Sequence, residues 1–501
     1  MPLEHVDVLI VGAGLSGIGA GYHLQDKRPG KSFAILEARD SLGGTWDLFR
    51  YPGVRSDSDM YTLGYRFRPW PDARAIADGP SILDYVRQTA RDNGIDRKIR
   101  FGHRVMSAAW STADARWTVE AQRADTQETV RMTCGFLLAC SGYYRYDEGY
   151  TPDFAGTERF AGRIVHPQQW PDDVDYTGRR VVVIGSGATA VTLVPAMADR
   201  AAHVTMLQRS PSYVVSLPGV DPIAKALGRL LPAKVVYPIV RWKNVLLTML
   251  SFELSRRRPR VMKRLIRKAL ERRLPAGYDI DTHFKPRYDP WDQRLCLVPD
   301  DDLFTAIGEG RASVVTEPID TFTEKGLRLA SGAELEADLI VTATGLNLLP
   351  LGGVALSVDG DDVELAEKLS YKGMMLNDVP NLAFAVGYTN ASWTLKCDLT
   401  CEYVCRLLNH MDKHGYRICT PHNRDPSITE EPFIDFSSGY VLRSIDQFPK
   451  QGSRPPWRLH QNYARDILML RFAAIEDDAM DFSNGAHHGD PAGQITVDSR
   501  M

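Results

Sequence analysis

The sequence predicts an α/β protein with two doubly wound, Rossmann-like dinucleotide-binding domains and a mostly helical insertion in the second. Two copies of one local pattern, about 170 residues apart, carry this prediction. In the first, the apolar run Val8–Val11 ends in Gly12-Ala13-Gly14-Leu15-Ser16-Gly17, and an alanine- and glycine-rich helical stretch follows. In the second, Val181–Ile184 ends in Gly185-Ser186-Gly187-Ala188-Thr189-Ala190. Continuous β-branched runs of this kind fit strands buried on both faces, as in parallel sheets. A third observation is the change of texture between Leu217 and Phe284, where strand signals fade and Lys and Arg crowd around apolar helical stretches.

The expected layout interleaves the two domains. Residues 1–145 and 351–480 form the first, residues 146–215 and 286–350 the second, residues 216–285 the helical insertion, and residues 481–501 a loose tail. Phe136–Gly142 and Leu339–Gly345 each close an apolar strand with a small residue and a glycine, which suits chain crossings between the domains.

Glycines at Gly12, Gly14 and Gly17 let a pyrophosphate approach backbone N–H groups at a helix N-terminus. The next strand, Phe33–Leu36, ends in Glu37, whose carboxylate can accept hydrogen bonds from ribose hydroxyls. The second loop presents Gly185, Gly187, Ala188 and Thr189, and its following strand, His203–Gln208, leads to Arg209 and Ser210. A carboxylate repels a 2′-phosphate, whereas an arginine fork beside a hydroxyl binds one. The first site therefore suits the unphosphorylated ribose of FAD or NAD, and the second suits NADP. Two nucleotide sites in one chain imply electron traffic between them, with NADPH reducing a flavin as the commonest arrangement.

Composition excludes several classes. With 501 residues, 44% hydrophobic and 25% charged, the chain is an ordinary globular protein, and a net charge of −3 gives no reason to expect a nucleic-acid partner. Seven scattered cysteines and no secretory signal fit a reducing compartment, with the cytoplasm as the default. Cys397, Cys401 and Cys405 share one helix face but lack a completing His or acid, so they read as packing thiols and no metal site is expected. Charges inside the apolar stretch Val235–Leu254 argue against a bilayer-spanning helix. The flanking arginines suit peripheral attachment to anionic lipid, and the alternative is a helical lid over an apolar cleft.

One stretch is far more specific. Phe160-Ala161-Gly162-Arg163-Ile164-Val165-His166-Pro167-Gln168-Gln169-Trp170-Pro171 resembles the F-x-G-x-x-x-H-x-x-x-W-P fingerprint of the type I Baeyer–Villiger flavoprotein monooxygenases. Its defined positions are Phe160, Gly162, His166 and Trp170. Gly43-Gly44-Thr45-Trp46, then Tyr51-Pro52-Gly53 and Asp57, resemble that family's second signature, and the wording is similar to the ethionamide-activating subgroup. Pro290–Arg294 and Gly387–Trp393 extend the likeness over nearly the whole chain.

That resemblance implies bound FAD, reduction by NADPH, and transfer of one oxygen atom of O2 to a small apolar ketone or organosulfur compound. It assigns Gly44, Thr45, Trp46 and Asp57 to the flavin side. It makes Arg294, oriented by Asp57, the fixed cation that oxygen chemistry at a carbonyl requires. His166 and Trp170 are expected to shape the linkage between domains rather than to move protons. Trp393 and Trp457 are candidates for a nicotinamide ribose contact. Gln293 stands where many relatives carry lysine, which leaves NADPH selectivity to Arg209 and Ser210. The alternatives are a flavin monooxygenase acting only on nitrogen or sulfur, and a redox flavoprotein without turnover. Oligomeric state is not readable.

Overall fold

The structure, a computed structural model, describes residues 3–484. The chain opens with β1 (Glu4–Val11), α1 (Leu15–Lys27) and β2 (Phe33–Leu36), followed by β3 (Ile99–Arg100), β4 (His103–Ser111), β5 (Arg116–Arg123) and β6 (Thr129–Ala139). It leaves this layer through β7 (Tyr144–Gly149) and builds a second from β8 (Arg163–Val165), β9 (Arg180–Ile184), α2 (Ala188–Ala198) and β10 (His203–Gln208). After β11 (Val214–Leu217) come four helices: α3 (Pro222–Leu227), α4 (Ala233–Arg257), α5 (Pro259–Glu271) and α6 (Ile280–His283). The second layer resumes with β12 (Cys296–Pro299), β13 (Ala312–Thr316) and β14 (Leu339–Thr342). The chain then returns through β15 (Leu346–Leu348) to β16 (Ala355–Val358), β17 (Asp361–Asp362) and β18 (Leu382–Phe384). It closes with α7 (Trp393–His414), β19 (Ile418–Pro421) and β20 (Met480–Ser483).

Two sheets result. The first runs β17-β16-β4-β5-β6-β1-β2-β3, with β18 also on β6, and β1 lies parallel to both β2 and β6. The second is wholly parallel, in the order β13-β10-β9-β14-β8. Sandwiching β1 between parallel neighbours buries Val8, Leu9 and Ile10 completely, which is why that run is apolar without alternation. The chain crosses between the sheets twice, and the two crossing strands, β7 and β15, pair antiparallel with each other. These crossings begin just past Ser141-Gly142 and at Gly345.

The helical region differs from expectation in its role. No residue of 217–284 lines the main cavity, so the helices do not form a lid over it. Instead α4 carries an inverted pattern. Its polar residues point inward: buried Arg241 donates through Nη1 to the Tyr61 and Gly64 carbonyl oxygens at 2.6 and 2.8 Å, and Asn244 donates to Asp59 at 2.8 Å. Its apolar row, including Ile239, Trp242, Leu246 and Leu250, faces out. Among the described residues, no helix is long and apolar enough to cross a membrane.

The expected tail begins too early. Asp481, Phe482 and Ser483 belong to β20, which pairs with β19. Residues 485–501 lie outside the described residues.

Candidate dinucleotide and oxygen-transfer site

Both glycine loops open onto one cavity of about 1060 Å³. In the first loop the turn is dictated sterically. Gly12 sits at φ +100°, and a Cβ on Gly17 would lie 1.9 Å from the Gly12 carbonyl oxygen. Gly14 is different, since a Cβ there would meet only the Gly44 backbone, at 3.5 Å. Its bare face therefore serves the cavity rather than the packing. On the second loop, a Cβ on Gly187 would meet nothing within 4 Å. Space held open in front of two helix N-termini fits two pyrophosphates, and the residues present suit two dinucleotides.

Glu37 is buried at the end of β2. Its Oε2 accepts from the Ala13 N–H at 2.7 Å and its Oε1 from the Arg39 N–H at 3.0 Å. Burial raises its pKa, and these two N–H groups offset part of that rise. The carboxylate thus fastens the first loop while lining the cavity. Arg209 and Ser210 also line the cavity and are exposed. Ala188, Thr189 and Gln293 line the cavity as well.

The Gly43-Gly44-Thr45-Trp46 turn is held by a residue that the motif reading missed. Asp47, 1% exposed, accepts from Ser41 Oγ at 2.6 Å and pairs with Arg39 at 2.8 Å and Arg87 at 3.1 Å. That hub brings Gly44 against Gly14, where a Cβ on Gly44 would sit 3.0 Å from the Gly14 Cα. Thr45 and Trp46 then face the cavity. Arg39 precedes Asp47 by eight residues and Arg87 follows it by forty, so no sequence period marks the hub.

Arg294 and Asp57 meet on the cavity wall, with Nη2 and Oδ2 2.5 Å apart. Burial alone would lower the Arg294 pKa. The Asp57 carboxylate outweighs it, holding the guanidinium charged. Burial raises the pKa of the neighbouring phenols Tyr143, Tyr144 and Tyr440, so they stay protonated around it. The loop carrying Arg294 is fastened from behind by α4, because Arg256 pairs with Asp292 at 3.0 Å and Phe252 packs edge-on against Trp291. The helical insertion therefore positions this loop.

None of the four fingerprint residues lines the cavity. Phe160 packs on Phe322, and a Cβ on Gly162 would strike the Phe160 ring and the Asp338 carbonyl. His166 Nε2 contacts the Gly345 carbonyl oxygen at 3.2 Å, and its ring lies against Gly149, so it ties both crossing strands together. Burial lowers its pKa. Trp170 packs half-buried against the second core. Next to it, Gln168 Nε2 donates to the Arg145 and Tyr146 carbonyls, and the Tyr146 hydroxyl contacts Thr45 Oγ1 at 3.2 Å. The fingerprint thus reaches the cavity only at second hand.

Of the two tryptophan candidates, Trp393 lines the cavity and donates to Ser16 Oγ at 2.9 Å. Trp457 does not. It is 2% exposed and packs edge-on against Tyr371 in the core. Cys397, Cys401 and Cys405 are buried free thiols on α7, and burial pushes Cys397 up to about 12.

Two nucleotide-type loops facing one cavity, with a fixed cation between them, define a two-dinucleotide redox protein. The family model for flavin-binding monooxygenase-like proteins matches residues 69–349, and that for NAD(P)-binding Rossmann-like domains matches residues 10–78. The chain belongs to the flavin-binding monooxygenase-like family. It is 58% identical to the FAD-containing monooxygenase EthA of Mycobacterium tuberculosis, over 96% of this chain and 98% of that protein. It is 44% identical to the probable FAD-binding monooxygenase AlmA of Acinetobacter baylyi, over 96% of each. In fold it resembles an oxidized steroid monooxygenase bound to NADP, with a TM-score of 0.75, 21% identity, and coverage of 96% of this chain and 100% of that one.

Proposed function

We propose that the protein is an FAD- and NADPH-dependent Baeyer–Villiger monooxygenase. It inserts one atom of O2 beside a ketone carbonyl to give an ester or lactone, and it oxygenates the sulfur of thioethers or thioamides. FAD, when bound, accepts hydride from NADPH and activates O2. The Gly12–Gly17 loop, Glu37 and the Gly44–Trp46 turn hold FAD. Gly185–Thr189, Arg209 and Ser210 hold NADPH, with the 2′-phosphate on the arginine.

The Arg294–Asp57 pair carries this reading, because it sets a permanently charged guanidinium on the wall of the space both dinucleotides would share. Negative charge that develops on oxygen during attack on a carbonyl is stabilised by such a fixed cation without reorganisation. Asp57 orients the fork, and the three phenols around it stay protonated.

The test is oxygenation under 18O2 with NADPH, an apolar ketone and a thioether. One labelled oxygen per product, with one NADPH consumed, is the expected result. If every reducing equivalent ends as hydrogen peroxide whatever the substrate, the chain is an oxidase or a sensor. If only the thioether reacts, it acts on soft atoms alone.

Attachment to an anionic membrane surface is part of the same reading. The outward apolar row of α4 and the basic residues Arg260, Arg264 and Lys268 of α5 support it. Flotation with anionic but not neutral vesicles is expected.

A further inference from the structure

At the far end of α7 from the cavity, His410 and His414 stand one helical turn apart, beside Glu476 of the segment that leads into β20. One ligand atom from each of the three lies within 4.8 Å of the others. This spacing is the H-x-x-x-H arrangement that puts two imidazoles on one helix face.

Three details separate the cluster from a surface charge group. His410 Nε2 is buried and makes no hydrogen bond, although Glu476 Oε1 lies 3.0 Å away. The two are close but out of line for donation. His414 Nδ1 lies 2.9 Å from the His410 carbonyl oxygen, a contact that puts the hydrogen on Nδ1 and leaves Nε2 with its lone pair. Both rings are held by aromatic packing, His410 against Phe482 at 4.9 Å and His414 against Tyr416 at 5.8 Å. By contrast, the imidazole of His422 is already engaged by Asp378 at 2.7 Å and faces Asp481 at 3.6 Å.

We propose that His410, His414 and Glu476 form a divalent transition-metal site, with Zn2+ the ion that two imidazoles and one carboxylate suit best. Donors around tetrahedral zinc lie about 3.4 Å apart, as its bond lengths of about 2.0–2.1 Å require. Glu476 Oε1 already stands within that span of His410 Nε2, and the exposed side chains of His414 and Glu476 move to close what remains. Water takes the fourth position. The ion joins the C-terminal end of α7 to the 473–479 segment. The 22-residue helix Trp393–His414 puts it roughly 30 Å from the cavity-lining Trp393, so it has no part in oxygen transfer. It acts as a structural clip.

The experiment measures Zn2+ binding to the full-length holoenzyme by equilibrium dialysis and by its effect on Tm. His414→Ala and Glu476→Gln remove exposed ligands with little risk to folding, and His422→Ala serves as the control. One equivalent of zinc should bind wild type and the control and raise Tm in both. Each ligand variant should bind at least about tenfold more weakly and lose the Tm rise. NADPH oxidation without zinc should be the same in all four proteins. Absence of zinc binding to wild type, or equal affinity and an equal Tm rise in both ligand variants, would overturn the site.

Discussion

The guanidinium of Arg294 and the carboxylate of Asp57 lie 2.5 Å apart, each from a different segment of the chain and both lining the cavity onto which the two glycine loops open. Asp57 follows the Gly43–Asp47 turn of the first layer, whereas Arg294 directly precedes β12 beside the second. The pair joins the segment after that turn, which itself packs on the second core through Tyr51 and Val54, to the loop before β12. That makes it a junction as well as a charge, and it explains why α4 spends Arg256 and Phe252 on fixing the Arg294 loop.

Arg294→Ala should leave flavin reduction by NADPH close to normal and lower ketone oxygenation by roughly 100- to 1000-fold, the usual cost of removing one preorganised donor to a developing anion. Arg294→Lys should recover only part, because an ammonium cannot hold the fork geometry beside Asp57. Stopped-flow reduction and ester formation, measured on the same preparations, separate the two steps. Equal loss in both would place Arg294 in NADPH binding instead.

Arg209→Ala should raise the KM for NADPH by about 10- to 100-fold while leaving that for NADH little changed, since a charge-assisted hydrogen bond contributes roughly 1.5–3 kcal/mol. Arg209 is exposed at the cavity edge, so the variant should fold normally. Unchanged preference for NADPH would shift the 2′-phosphate contact elsewhere, with Gln293 the next residue to change.

Gly14→Ala and Gly17→Ala should fail in different ways. A methyl on Gly17 would collide with the Gly12 carbonyl oxygen, so soluble protein should fall sharply. A methyl on Gly14 meets only an ordinary contact with Gly44, so the chain should fold and purify without its yellow colour. Both cases are read from soluble yield and the visible spectrum. A yellow Gly14→Ala protein would show that the pyrophosphate does not lie on that residue.

How far the sequence carries depends on whether a feature is local. The glycine loops are legible because a tight strand-to-helix turn imposes itself on consecutive residues, and β1 and β9 are legible because double burial removes polar alternation. Arg294 was reachable only through resemblance, since nothing within its own segment points to Asp57. Tyr143, Tyr144 and Tyr440 carry no spacing that marks them, because Arg294 and Asp57 come from distant segments, and the partners of Asp47 stand at no regular interval from it. Trp457 was misplaced because an aromatic residue reads the same whether it faces a ligand or Tyr371. Asp481–Ser483 read as tail because three residues are too short to show a period, and their partner strand begins at Ile418.

The pH dependence of stability should follow His166. Its folded-state pKa lies below the ordinary value, chiefly through burial, so the fold favours the neutral ring. The unfolded chain then binds a proton first, at about pH 6.5. Above that pH the residue does not oppose folding, and stability is lost as pH falls from there through the lower folded value. His283 and His460 are shifted the same way by burial and add to the slope. Tm of wild type should therefore decline from about pH 6.5 downward, and His166→Gln should flatten part of that decline while lowering Tm at neutral pH. A profile as steep as wild type would show that the other two histidines account for it.

Lys396 and Asp466 form a second buried pair, at 2.8 Å, with side chains only 5% and 3% exposed. Tyr388, which lines the main cavity, donates its hydroxyl to the same Asp466 oxygen at 2.6 Å. Removing one member leaves an uncompensated buried charge, which costs about 3–5 kcal/mol, whereas removing both charges together costs much less. Lys396→Met should therefore lower the urea midpoint strongly, and Lys396→Met with Asp466→Leu should recover a large part of it. Because Asp466 also orients Tyr388, the double variant should regain stability without regaining full activity. Recovery of both together would mean that the Tyr388 hydroxyl needs no partner, and that the pair serves folding alone.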